Sequence, residues 1–224
     1  HNTGVGITAL DALTSADQNT ALGGAALSGV TTGNDNVGVG YNAGSGITGA
    51  PGNTIMGVNA FTGSATDANS GYNTVMGQNA MNVASGASFN TALGRDAGRE
   101  VSTGDYNIFL GYNAGANDST SGITTGSGNV IIGTVDPASR TGNRQLKITG
   151  NDGSTTTTWI SGDNSGNLTF AGTVNSGAIT SSGTITGFNL DLADDANIRF
   201  GNDDEIKLIH VADTGLILKH TATA

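Results

Sequence analysis

The chain has 224 residues, of which 37 are glycine and 2 are proline, with 5% aromatic residues, 12% charged residues and no cysteine. These values exclude collagen, because the glycines have no three-residue period and proline is scarce, and they exclude disulfides and thiolate metal sites. The formal net charge of −10 argues against nucleic acid and anionic membranes as partners, and no apolar run is long enough to span a bilayer.

A repeated phrase occupies residues 2–133. It consists of Asn, then Thr, Val or Ile, any residue, an apolar residue, Gly, two residues and Ala, as in the copy from Asn19 to Ala26. Successive asparagines are separated by 17, 17, 17, 20, 17, 17 and 22 residues, and the extra residues fall in loops rich in Gly, Ser and Thr. This period predicts a solenoid of eight stacked turns, each holding two short strands. Because His1 already lies within a repeat, we expect the sequence to be part of a longer protein.

Each position of the repeat has a predicted role. The glycine is predicted to turn a corner at positive φ, and the alanine to face a narrow interior. The apolar residue before the glycine is predicted to form the core stripe, which comprises Val5, Leu22, Val39, Met56, Met76, Leu93, Leu110 and Ile132. The residue before that is predicted to form an inter-chain face, which includes Ile55, Val75, Phe109 and Ile131. The asparagines are predicted to form turns and a stacked amide ladder, through Asn19, Asn36, Asn53, Asn73, Asn90 and Asn107.

A different pattern begins after residue 135, so we divide the chain into a repeat region, 1–135, and a β-rich shaft or connector, 136–224. Strands at 145–149 and 155–160 flank the turn sequence Asn151-Asp152-Gly153, which predicts a hairpin. Further short strands are predicted at 168–174, 178–180, 184–188, 198–200, 205–211 and 216–219. Thin strands with little core indicate an interwoven trimeric shaft.

The phrases Asn-Thr-Ala-Leu-Gly-x-x-Ala at Asn19 and Asn-Val-Gly-Val-Gly-Tyr-Asn-Ala-Gly at Asn36 resemble the head repeats of YadA-like trimeric adhesins, which also occur in tail fibres of marine bacteriophages. The resemblance covers residues 2–133, although these turns are longer than the family's usual ones and the last copy lacks its alanine. It implies an all-β fold, a left-handed parallel β-roll, and a homotrimer. The phrases at 162–170 and 196–204 resemble phage fibre sequences and favour a virion protein.

The resemblance therefore implies an extracellular virion tail-fibre segment that attaches to a host glycan or receptor. The alternatives are a bacterial trimeric surface adhesin and a polysaccharide-degrading tailspike. We predict no enzyme activity, no cofactor and no metal. The G-x-G-x-x-A matches at Gly4 and Gly38 resemble a dinucleotide-binding pattern, but they lie within the β repeat rather than before a helix.

The remaining polar and aromatic groups are interpreted as follows. Acidic clusters at 191–195 and 203–205 are interpreted as solvated loops rather than as calcium ligands or a glycosidase pair. His210 and His220 are interpreted as structural residues rather than as metal ligands on a threefold axis. Threonine at the second repeat position is assigned to the core, and not to an ice-binding array. Candidates for glycan stacking or partner contact are Tyr41, Tyr72, Tyr106 and Tyr112.

Overall fold

The computed structural model describes residues 1–65, 70–116 and 122–172. Every regular element in these ranges is a β-strand, and eleven strands form one sheet in chain order. The strands are β1 Thr3–Val5, β2 Thr20–Leu22, β3 Val37–Val39, β4 Thr54–Met56, β5 Thr74–Met76, β6 Thr91–Leu93, β7 Ile108–Leu110, β8 Val130–Ile132, β9 Leu146–Asn151, β10 Thr156–Gly162 and β11 Leu168–Phe170. The predicted strands beyond residue 172, and most of the predicted shaft, lie outside the described residues.

Strands β1 to β9 are parallel and in register, so the repeat region is a β-solenoid of about eight turns. The middle residue of each strand aligns with that of the next, for example Ile55 with Val75 and Val75 with Ala92. Each repeat contributes one three-residue strand to the sheet rather than the predicted two. Tight backbone turns occupy most of the other residues of the repeat. Glycine follows each of the strands β1 to β8 at positive φ, from 141° at Gly57 to 96° at Gly133.

The core of the solenoid is narrow and is filled by the middle residue of each strand. Ile55, Val75, Phe109 and Ile131 are fully buried within the single chain, as are the repeat alanines from Ala26 to Ala114. The prediction that those four residues form an inter-chain face is therefore wrong. Successive strand side chains point to opposite sides, so when the middle residue faces inward the residues on either side face outward.

The predicted core stripe is wrong for the same reason. Val5, Leu22, Met56 and Met76 are 57%, 51%, 43% and 40% exposed. The other four positions, Val39, Leu93, Leu110 and Ile132, are half-buried. All eight lie on the outward side of the sheet.

The core is packed by exchanging volume between two positions of the repeat. One is the middle of the strand, and the other follows the repeat alanine. Where the strand carries Gly38, the side chain of Leu27 fills the space, and a Cβ at Gly38 would lie 2.6 Å from Leu27 Cγ. Where the strand carries Phe109, glycine stands at the second position in two turns, at Gly98 and Gly115. In these turns a glycine at one position thus accommodates a large side chain at the other, which keeps the interior close-packed.

The asparagines form a continuous buried ladder at the corner before each strand. The backbone N–H of Asn90 donates to Oδ1 of Asn73 at 3.0 Å, and Nδ2 of Asn90 donates to the same oxygen at 3.1 Å. Nδ2 of Asn90 also donates to the carbonyl of Gly104 at 2.9 Å. Each carboxamide thus satisfies backbone groups that water cannot reach at this buried corner.

The ladder extends one position beyond the predicted repeat. Gln145 takes the place of asparagine, and its backbone N–H donates to Oδ1 of Asn129 at 2.8 Å. The strand that follows, β9, pairs in parallel with β8 and aligns Lys147 with Ile131. The boundary predicted at 135/136 falls between these two paired strands. A charged lysine at the inward position stops the apolar core from continuing.

The end of the described chain is an antiparallel meander. β9 pairs with β10 around the Asn151-Asp152-Gly153 turn, as predicted, and β10 pairs with β11. A register shift between Thr158 and Ile160 places a bulge at Trp159. Trp159, Leu168 and Phe170 are about half exposed, so this part of the sheet has little core of its own.

Candidate interaction surfaces

The outward side of the solenoid sheet carries two parallel columns of side chains. The residue that ends each strand forms the outward apolar row, which comprises Val5, Leu22, Val39, Met56, Met76, Leu93, Leu110 and Ile132. The residue that begins each strand forms a second column, which comprises Thr3, Thr20, Val37, Thr54, Thr74, Thr91, Ile108 and Val130. No charged side chain interrupts either column.

This surface differs from an ordinary exposed sheet face. An exposed antiparallel or edge sheet alternates apolar and polar residues, with the polar ones outward, whereas here both columns lack charge. Stacked parallel strands lie about 4.8 Å apart, so eight strands give a strip on the order of 35 Å long. A continuous apolar strip of this size is typical of a protein–protein interface.

A second surface consists of stacked aromatic rings at the corner before the asparagine ladder. The rings of Tyr72 and Phe89 are 5.3 Å apart with planes 6° from parallel, and those of Phe89 and Tyr106 are 4.8 Å apart at 7°. All three residues have positive φ, near 60°, and each ring remains about half exposed. We call these three residues the aromatic ladder.

The other two predicted tyrosines do not join this ladder. The ring of Tyr112 lies beneath the guanidinium group of Arg95, whose carbon is 5.4 Å from the ring centroid. Tyr41 lies beside Gly24, where a Cβ would be 3.4 Å from Tyr41 Cδ2. Sequence periodicity separates the two groups, because Tyr72 and Tyr106 precede an asparagine whereas Tyr41 and Tyr112 follow the corner glycine.

A third surface, a cleft that the sequence did not reveal, lies against the β9–β10 hairpin. It has a volume of about 500 Å³ and is lined by Gly150, Asn151, Asp152, Thr155, Thr157 and Trp159. The pKa of Asp152 is held below its ordinary value because backbone N–H groups of Thr155 and Ser154 donate to the carboxylate. The one sequence signal for this surface is that Trp159 is the only tryptophan of the chain.

Several predicted polar groups fall outside the described residues, namely the acidic clusters at 191–195 and 203–205, His210 and His220. Over the residues that the structure does describe, no three His, Asp or Glu side chains are grouped closely enough to hold a metal ion. Within the same ranges, no helix is long and apolar enough to cross a membrane.

Comparisons with known proteins return no match. No family model matches the chain, and neither a curated protein nor a solved structure matches it significantly.

Proposed function

We propose that this chain is a segment of an extracellular, homotrimeric virion tail fibre that attaches to host-surface glycans or receptors. In this proposal the solenoid is left-handed, three copies pack side by side, and residues 136–224 lead into an interwoven shaft. The single observation that carries the proposal is the outward apolar row. The resemblance of the repeat to trimeric adhesin heads supports it.

The outward apolar row needs a partner, and a second and third copy of the chain are the simplest ones. Leu22, Met56 and Met76 expose about half of their surface in the single chain. Burying apolar surface stabilises an assembly by about 25 cal/mol per Å², and every turn of the solenoid adds one such side chain. Cyclic symmetry lets the same row serve each copy, so all three rows would be covered at once.

The proposed mechanism is geometric rather than catalytic. Stacked parallel strands with a buried amide ladder form a stiff rod, about 40 Å long at about 4.8 Å per turn. Three identical chains present each surface feature three times, so weak contacts with a host surface are multiplied by avidity. A bacterial trimeric surface adhesin would use the same geometry on a different particle.

The test is the mass of the purified 224-residue protein in solution, measured by light scattering across a range of concentrations. A mass three times that of the 22.1 kDa chain is the expected result. A stable monomer would contradict the trimeric fibre, because the outward apolar row would then be free.

One observation favours a second candidate, an ice-binding surface. Thr20, Thr54, Thr74 and Thr91 face outward in register, which corrects their assignment to the core. Against it, Val37, Ile108 and Val130 interrupt the column, and the neighbouring row varies in side-chain size. Ice binding requires a free sheet face, so it is to be tested by thermal hysteresis of the protein if the protein is a monomer.

A further inference from the structure

The cleft beside Trp159 has the features of a ligand site. Its volume is about 500 Å³, and it is a shallow cleft that is open to solvent. Thr155, Thr157 and Trp159, which lie on β10 and its approach, all line the cleft. The bulge at Trp159 is of the kind that re-aims a side chain next to a site.

The indole of Trp159 is held from one side and open on the other. It lies across the backbone of Gly150, where an added Cβ would be 2.7 Å from Cη2 of Trp159. Covering a cross-strand glycine is a structural role for an aromatic ring. Yet Trp159 remains 56% exposed, so this role uses only part of the ring. The remainder is a flat apolar platform at the edge of the cleft.

The polar groups of the cleft leave several hydrogen-bonding atoms free. Oδ1 of Asp152 accepts from the backbone N–H groups of Ser154 and Thr155, at 2.9 and 2.7 Å. Its Oδ2, and the hydroxyls of Thr155 and Thr157, have no hydrogen-bond partner in the described part of the chain. The site therefore offers an ionised carboxylate oxygen and two hydroxyls beside the indole.

This combination selects for one chemical class of ligand. Among the described residues, no cationic side chain lines the cleft, so an anionic ligand would meet the Asp152 carboxylate without compensation. An extended lipid chain would find one apolar ring among polar groups. A neutral sugar ring matches both parts, because its C–H face can pack on an indole and its hydroxyls can donate to a carboxylate in charge-assisted hydrogen bonds.

We propose that this cleft binds a neutral pyranose, with the sugar face on Trp159 and hydroxyls directed to Asp152 and Thr157. The inference rests on the proposed attachment function, for which it names the ligand class. A single such shallow site binds weakly, with Kd on the order of 1 mM, and threefold repetition along a fibre raises the apparent affinity.

Because Trp159 is the only tryptophan, its fluorescence reports on this site alone. The full 224-residue protein is to be titrated with methyl β-glucopyranoside and, in parallel, with methyl β-glucuronoside, which differs only in a carboxylate. We expect the glucoside to protect Trp159 from acrylamide quenching, with the glucuronoside about tenfold weaker, as expected for an unpaired like-charge contact. Mannitol at equal concentration controls for bulk effects.

Two variants test the geometry without removing the fluorophore. Asp152→Asn keeps the Oδ1 acceptor of the turn, and it should weaken glucoside binding about tenfold while reducing the preference over the glucuronoside. Thr157→Val keeps the side-chain shape and should weaken binding of both sugars. Unchanged far-UV circular dichroism establishes that each variant is folded.

Three results would overturn the proposal: no protection by glucoside, equal binding of both sugars, or a Trp159 that acrylamide cannot reach in the native protein. The last would mean that the cleft is covered by other parts of the assembly. Failure here is distinguishable from failure of the fibre proposal. A trimer by light scattering that ignores sugar refutes the sugar site alone, and a sugar-binding monomer refutes the fibre alone.

Discussion

The ring of Phe109 occupies the space that a side chain at Gly98 would need, since a Cβ at Gly98 would lie 2.7 Å from Phe109 Cδ2. Gly98 also has φ of 58°, which costs an L-residue about 1–2 kcal/mol. We therefore expect Gly98→Ala to lower the free energy of unfolding by about 2–4 kcal/mol, since overpacking adds its own cost. Urea unfolding at fixed protein concentration measures this.

Gly86→Ala is the matched control for that variant. A Cβ there would meet only Cγ2 of Thr103, at an ordinary 3.6 Å. We expect a change within about 0.5 kcal/mol, as for most surface substitutions. In a Phe109→Leu background, Gly98→Ala should cost less than in the native chain, because the shorter side chain frees space. Equal costs in both backgrounds would refute the packing relationship.

The repeat predicted the solenoid, its corner glycines and its amide ladder. It nevertheless assigned the outward apolar row to the core and the buried middle residues of the strands to the surface. The residue before each corner glycine is always apolar and large, which suggested a core stripe. The true core position instead varies from Gly38 to Phe109, and around both of these a residue in a neighbouring column compensates for the change in volume. That compensation is three-dimensional, so reading one column of the repeat at a time could not reveal it.

The aromatic ladder and the cleft differ in how far the sequence reveals them. Tyr72, Phe89 and Tyr106 share a repeat position, so their stacking follows once the register is known. The cleft depends on a bulge and on the indole crossing Gly150. Neither follows from strand alternation, which is why the sequence indicated a hairpin but no site.

The asparagine ladder should be costly to interrupt. The Asn73 carboxamide accepts two hydrogen bonds from Asn90 and donates to the carbonyl of Ala87 at 2.9 Å. Asn73→Ala removes the hydrogen bond of the buried Asn90 backbone N–H and that of the Ala87 carbonyl, at about 1–3 kcal/mol each, so we expect a loss of about 2–5 kcal/mol in thermal or urea unfolding. Asn34→Ala is the control, because exposed Asn34 accepts one bond, from the Asp17 backbone N–H at 2.7 Å. Similar losses for both variants would contradict a special role for the buried ladder.

The aromatic ladder predicts an unusual order of variant stabilities at Phe89. Phe89→Ala removes two ring stacks, each contributing about 0.5–1.5 kcal/mol, but keeps the strained φ of 58°. Phe89→Gly removes the same stacks and relieves that strain, which is about 1 kcal/mol or more. We therefore expect Phe89→Gly to be more stable than Phe89→Ala, the reverse of the order in an ordinary strand. Thermal unfolding of the three proteins decides it, and the ordinary order would refute the left-handed corner.

The outward apolar row predicts a variant that separates association from folding. Met76→Asp places a charge on the outward side, where Met76 is 40% exposed in the single chain, so it should leave each solenoid intact. It should nevertheless disrupt the trimer, since an unpaired charge buried in an interface is strongly unfavourable. Gln78→Asp adds the same charge two residues later, beyond the sheet face, and should leave the mass unchanged. Light scattering with circular dichroism tests both variants, and a trimeric Met76→Asp would exclude this row from the interface.

Acid should loosen the antiparallel meander of β9 to β11, whose two turns hold Asp152 and Asp163, before it loosens the solenoid. The pKa of Asp152 is held below its ordinary value because Thr155 and Ser154 donate backbone hydrogen bonds to it, and that of Asp163 is lowered chiefly by the Asn167 side chain. A carboxyl group whose pKa is lower in the folded chain adds stability above its unfolded pKa and loses it as the pH falls through the folded value. The stability of the meander should therefore be constant from pH 7 to about pH 4 and fall below about pH 4.

Trp159 fluorescence reports on the meander, and far-UV circular dichroism reports on the whole sheet, so the two signals should separate during acid titration. The asparagine ladder and the apolar core of the solenoid do not titrate in this range. In the double variant Asp152→Asn, Asp163→Asn the turn acceptors remain but no longer bind protons, and the fluorescence change should vanish or move to lower pH. If the double variant responds at the same pH as the native chain, other groups determine the acid stability of the meander, and these two carboxylates do not anchor its turns.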